Sequence, residues 1–352
     1  MRISLAVFTV AMFMQASCVV TSAEDAVLPP SLDQSAGYAE YWEQQFLFKG
    51  DRLLVSQFMV LNLPLSRHHG LMIGSYRDRD RLVIVKNGRQ RDGWQYSPAD
   101  KRLTIFQHTL EGAYPGYLMR LHNTAAEFDV LYNASDRAIA ITTPGNPLGL
   151  PTVTQYAPTA QAVGRWRPGP EIGGAGATER WQALGDGRGY GLHVVQTAPL
   201  EKSLRRWRRA VALTGNSGHT PILHLMETPS SAKHVSLTLL TRFGPPIQFQ
   251  KAIVSAQEAG WRIAADAGER RLSGTIMPLR DIETFVLKDH LNGIEVLAAR
   301  ALATIRRKRM TGRYAFTLKT PAGTSEISGA VLMEDIQIAP PDDRRRRLRR
   351  SR

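Results

Sequence analysis

Alternation with period two governs this chain, and it leaves few folds open. Glu127 and Asp129 alternate with Ala126, Phe128 and Val130; Tyr314, Phe316 and Leu318 alternate with Ala315, Thr317 and Lys319. Successive side chains of a strand point to opposite faces, so this pattern describes strands with one face buried. Apolar runs at Arg52 to Leu63, Gly70 to Tyr76, Arg81 to Lys86 and Val235 to Leu240 are rich in Val, Leu, Ile and Phe. They end at Gly, Pro, Asn or Asp and are too short for anything but strands joined by turns. Asp78-Arg79-Asp80, Ser97-Pro98-Ala99-Asp100 and Pro321-Ala322-Gly323-Thr324 carry the chemistry of hairpin connections. Many short strands at even spacing predict an all-β, antiparallel barrel or sandwich rather than a βαβ layout, with at most one or two short helices.

Two segments break the pattern. Ile294, Leu297, Ala298, Ala301, Leu302 and Ile305 fall at helical spacing, which predicts a helix near 294–308; Ser203 to Leu213 suits a basic helix or a strand rim equally. Between Thr142 and Gly176 six prolines and seven glycines describe an irregular connection. It divides the chain into a β domain over 24–141, a connection over 142–176, a second β domain over 177–339 and a tail over 340–352.

The N-terminus carries an address. Met1-Arg2 is followed by an apolar segment from Ser4 to Met14 and by Thr21-Ser22-Ala23 before Glu24-Asp25. That layout predicts a secretory signal peptide over 1–23 and a periplasmic or secreted mature protein. Cys18, the only cysteine, lies inside it, so the mature chain needs no disulfides. Gln15-Ala16-Ser17-Cys18 resembles a lipoprotein processing site, but Gln15 stands where an apolar residue belongs, so anchoring through Cys18 is the lesser alternative.

The formal charge of +14 is unevenly spread. Asp342 to Arg352 holds seven Arg against two Asp. Without the tail and Arg2 the remainder is near +8, too modest to call for specific nucleic-acid binding. Such a tail is normally a solvated, disordered run, and in the envelope it is also able to touch an anionic membrane surface peripherally.

Further residues carry a resemblance. Tyr41-Trp42 leads to Phe46-Leu47-Phe48, Gly50-Asp51 and a strand ending at Asn62. Gly187-Arg188-Gly189-Tyr190-Gly191-Leu192-His193 precedes Arg206-Trp207-Arg208, and Gly329 to Asp335 closes the fold. This order resembles the AttH-like, survival-factor-type lipocalin superfamily, related to carotenoid 1,2-hydratases and Diels–Alderase lipocalins. The resemblance implies two lipocalin-like barrels with an apolar ligand in or between them. The paired Asp residues of the hydratase-type members are missing, which favours carriage of a lipid or isoprenoid over lyase- or isomerase-type turnover. A solid, structural barrel is the third reading.

A ligand-binding barrel needs apolar walls and a few polar groups that fix the ligand. Trp42 and Trp207 are the expected walls, with Trp181 and Trp261 as further aromatics; each serves as well as core. His193 and Glu334 are the expected polar contacts and the candidate catalytic groups. His193 follows the glycine-rich stretch, and Glu334 follows the apolar run Ala330 to Met333. Pointing inward Glu334 is a shielded acid; pointing outward it is a solvated charge. His224 and Glu227 differ by an odd number and so face opposite sides of a regular strand. His68-His69 lack a third ligand, and the alternating glycines are not framed by a strand and a helix, so neither metal nor any other cofactor is expected.

Overall fold

The protein was described from a computed structural model, which covers residues 29–340 except 64–65, 88–92, 174–179, 217, 258–259 and 291–303. The expected signal segment, the basic tail and most of the expected helix near 294–308 lie outside the described residues. Thr304 to Lys308, the end of that helix, form the start of a strand. Ser203 to Leu213 resolves the same way: Arg206–Ala212 is a strand.

All-β architecture is what the structure has. The first unit contains β1 (Ala39–Phe48), β2 (Arg52–Leu63), β3 (Ser66–Asp78), β4 (Arg81–Lys86), β5 (Trp94–Ser97), β6 (Arg102–Ile105), β7 (His108–Ala113), β8 (Gly116–His122), β9 (Ala126–Ala134), β10 (Ile139–Thr142), β11 (Thr152–Pro168) and β12 (Gln182–Gln196). They form one antiparallel sheet in the order β4-β3-β2-β1-β12-β11-β9-β8-β7-β6-β5, with β10 on β11. Its far ends curl together: the Trp94 indole N–H on β5 donates to the His68 carbonyl on β3 at 2.6 Å. The second unit contains β13 (Arg206–Ala212), β14 (His219–Glu227), β15 (Lys233–Thr241), β16 (Gly244–Phe249), β17 (Lys251–Gln257), β18 (Gly260–Ala267), β19 (Arg270–Val286), β20 (Thr304–Thr320) and β21 (Gly323–Ala339). Its order is β16-β15-β14-β13-β21-β20-β19-β18-β17. One sheet nearly closes into a barrel and the other forms a half-barrel.

The expected connection over 142–176 is corrected by this topology. β11 and β12 both belong to the first sheet, where β12 pairs with β1 over Ala39–Phe48. The chain crosses to the second sheet only between Gln196 and Arg206. Proline and glycine misled because each has a local reason to sit in a strand. Pro158 lies where the β11–β12 register shifts between Ala157 and Ala160, so its missing N–H costs no ladder bond. Gly189 on β12 is required by close approach: a Cβ there would stand 1.7 Å from the Gln45 carbonyl oxygen.

Three apolar layers result. Trp42, Phe46, Phe58, Tyr76, Phe128 and Tyr132 fill the first barrel. Leu237, Leu239, Ile263, Tyr314, Phe316 and Ile327 fill the second. Between them, Val55, Leu192 and Val194 of the first sheet meet Trp207, Val211, Leu332 and Ile336 of the second, so the sheets pack face to face. Strand parity does the sorting: even-numbered residues of β1 enter the first barrel, and odd-numbered ones face the seam.

Candidate functional site

The seam holds a feature that apolar patterning does not announce. Glu43 on β1 is flanked by Arg209 on β13 and Arg307 on β20, each 2.5 Å from one of its oxygens. Arg209 also pairs with Glu334 on β21, while Arg309 Nε on β20 lies 2.9 Å from Glu334 Oε1 and its Nη1 pairs with Glu283 on β19. Gln45 and Gln57 donate to Glu43 at 2.8 and 2.5 Å. Three carboxylates and three guanidinium groups are thus gathered with at most 9% of any side chain exposed. Burial pushes the Glu43 carboxyl up, but Arg209, Arg307 and Arg309 outweigh it and hold it well below the usual carboxylate range.

Rings flank this cluster. The Arg209 guanidinium lies 4.8 Å from the Trp207 ring centre and 5.8 Å from that of Tyr190. The Trp207 indole N–H donates to His224 Nδ1 at 3.2 Å, and His224 Nε2 is 2.9 Å from Gln155 Oε1. Both contacts fit the neutral Nε2-protonated tautomer. Burial, and next the Arg209 charge, push the His224 pKa well down.

The four expected site residues fall into two groups. Trp42 and His193 stack with ring centres 5.0 Å apart and planes 15° apart, on the first-barrel face of β1 and β12. His193 Nε2 is 2.6 Å from Glu40 Oε1, and Glu40 also accepts from the Tyr38 hydroxyl and from the Ser31 N–H and hydroxyl, each of the latter at 2.7 Å. Burial raises the Glu40 pKa, yet the hydrogen bond and charge of His193 bring it below its ordinary value. Trp207 and Glu334 lie on the opposite side of β1, in the seam, joined through Arg209. Glu334 is therefore neither a solvated charge nor an isolated acid in a lumen; it is a partner of buried cations. Glu227 pairs with Arg205 at 3.0 Å, apart from the His224 contacts.

Open space lies at the end of the seam. A groove of about 300 Å³ is lined from the first unit by Asp136, Thr159 and Arg188 and from the second by Leu213, Thr220 and Arg242. Leu240 in its lining also belongs to the apolar layer of the seam. The Thr159 hydroxyl donates to Asp136 at 3.0 Å, and burial raises the Asp136 pKa. A second cavity of about 230 Å³ is lined by the 144–152 loop, the end of β12 and Ser203. Neither lining includes Trp42, His193, Trp207 or Glu334.

This geometry is an all-β fold of two packed antiparallel sheets, the architecture that the sequence resemblance implies. Among solved structures, CghA with Sch210972 matches with a TM-score of 0.57 at 8% identity, over 91% of this chain and 96% of CghA. Weaker likenesses are a Nitrosomonas europaea protein assigned to AttH (TM-score 0.49, 13% identity, 89% and 97% covered) and kievitone hydratase from Nectria haematococca (0.48, 10%, 90% and 94%). No family model and no curated protein matches the sequence.

Groove residues eluded sequence reading because they are scattered over loops and strands of both sheets, and no spacing along the chain links them. The charge cluster left one trace: Arg209 shares strand parity with Trp207 and Val211, a charge on an apolar face.

Proposed function

We propose that this is an exported lipocalin-like protein that binds a hydrophobic small molecule at the seam between its two units. The observation that carries this reading is the groove of about 300 Å³ whose floor, at Leu213 and Leu240, continues into the apolar layer between the sheets. That volume is at the lower end of the range for small-molecule sites, and the polar side chains around Leu213 and Leu240 supply groups that fix a ligand's orientation. The crystal structure of CghA with Sch210972, a protein of the same fold, supports a small-molecule role. Tight packing of the barrel interiors around Trp42 and Phe316 favours the seam over either lumen.

The test is binding of the neutral fluorophore Nile red to the purified mature protein and to Thr220→Trp. Thr220 is half-buried on the groove wall, and an indole there fills the space. The reading expects saturable binding by the parent and loss of most affinity in the variant, with the melting temperature kept. Equal binding by both proteins places the probe elsewhere and overturns it. Native mass spectrometry of protein taken from its host then identifies what co-purifies.

A second reading, turnover of an isoprenoid-like substrate by a hydratase or cyclase, is supported by Asp136. A carboxyl whose pKa is raised, on the wall of a groove, is suited to proton donation. Asp136→Asn separates the two: binding survives in both, and only an enzyme loses turnover.

A further inference from the structure

The groove's two cations come from different units and face one space, which gives the ligand a polarity. Arg188 on β12 reaches across the seam and donates from Nη1 to the Leu213 carbonyl at 3.0 Å, which anchors its guanidinium at the groove wall. Arg242, in the β15–β16 turn, enters from the second unit with its guanidinium 5.1 Å from the Phe243 ring centre. A guanidinium held at one N–H or against a ring keeps other N–H groups for a partner, and its planar fork matches a carboxylate or phosphate. Thr214, Thr220 and Thr241 share the same lining.

The one carboxylate in the lining, Asp136, stands on the far side of β11 from Arg188 and is held by the Thr159 hydroxyl. Two guanidinium groups in the lining draw a negative head, and Leu213 and Leu240 offer the apolar remainder its surface, which gives the site a direction.

We infer that the ligand of the seam groove is an amphiphile with an anionic head, a carboxylate or a phosphate monoester, held between Arg188 and Arg242 with its apolar part on Leu213 and Leu240. This rests on the seam reading above and narrows its substrate class. Phe243, 90% exposed beside Arg242, is then an aromatic edge at the mouth of the site.

A matched probe pair tests the inference: 11-(dansylamino)undecanoic acid and its methyl ester, which share fluorophore and chain and differ in charge. The acid should bind the parent about tenfold more tightly than the ester, and the advantage should shrink to within about twofold in Arg188→Gln/Arg242→Gln. Arg242→Gln alone, at an exposed turn, should remove part of the preference and guards against a folding defect from loss of the Arg188 anchor. Equal binding of acid and ester by the parent overturns the anionic head while leaving the seam reading intact. An acid preference that survives in the double variant also overturns it, because the charge is then read elsewhere. Binding of neither probe, with Nile red unaffected by Thr220→Trp, removes the seam reading itself. Dansylated dodecyl phosphate in place of the acid tells the two heads apart.

Discussion

Arg209 and Glu43 stand 2.5 Å apart although 166 residues separate them, and their contact joins the two sheets at a point closed to water. Removing one member of a buried charge pair leaves the other desolvated without compensation, which costs about 3 to 5 kcal/mol. Arg209→Met should lower the unfolding free energy by that amount in urea titrations. Adding Glu43→Gln to it should cost less than the sum of the single changes, because the two residues share one network. Strict additivity would show that the pair is not coupled.

Trp207→Ala tests whether this ring is a ligand wall or part of the seam. Its indole packs against Arg209, donates to His224 and is buried in the layer between the sheets. The expected outcome is a loss of about 3 to 5 kcal/mol in stability, the usual range for a buried large aromatic. A variant with the parent's midpoint and weakened Nile red binding would return Trp207 to the ligand.

Acid should unfold the protein in two stages. Burial lowers the His224 pKa well below 6.5 and that of His108 to about 4, so both rings stay neutral in the folded state where the unfolded chain takes up protons. Their contribution is complete above pH 6.5 and falls as pH drops from there toward 4, by about 1.4 kcal/mol per pH unit for each ring. Below about pH 4.5 the lowered carboxyls of Glu40 and Glu43 add to the loss. His224→Gln, which preserves a donor and an acceptor, should roughly halve the slope between pH 6 and 5 in urea titrations. An unchanged slope would sink the assignment.

Glycines at 189 and 145 should differ sharply. Gly189→Ala drives a methyl group into the Gln45 carbonyl and should abolish soluble expression or cost more than about 3 kcal/mol. Gly145→Ala meets nothing within 4 Å and bears only the strain of a positive φ of 68°, about 1 kcal/mol. Thermal melts of both variants decide it.

N-terminal sequencing of protein from its native host should begin near Glu24. A start at lipid-modified Cys18 would identify a lipoprotein instead, and retention of Met1 in the cytoplasm would remove export altogether.

Strands were legible where a short apolar run ends at turn residues: Arg52–Leu63 and Arg81–Lys86, read that way, are β2 and β4. β11 and β12 were not, since proline at a register shift and glycine under a neighbouring backbone both look like loop chemistry when tertiary contacts are unseen. Trp42, Trp207, His193 and Glu334, expected together around one ligand, are all buried, but one pair faces the first barrel and the other the seam. Parity fixes the two faces of a strand without naming what covers each. Seam charges were hidden for a further reason. Glu43, Arg209, Glu283, Arg307, Arg309 and Glu334 lie on five strands, and no spacing along the chain brings them together.

The way these six charges divide between the units bears on assembly. Glu43 alone comes from the first sheet; the second brings three arginines and two glutamates, a surplus of one positive charge. A first unit that emerges during synthesis ahead of the second presents Tyr41, Val55, Leu192 and Val194 as an adhesive face with one acid at its centre. Two such faces meeting would trap a pair of like charges out of water, a contact that costs several kcal/mol, whereas the second unit of the same chain arrives with the matching cation. Fidelity in pairing is thus written into one carboxylate: strangers are turned away by the group that welcomes the chain's own second half.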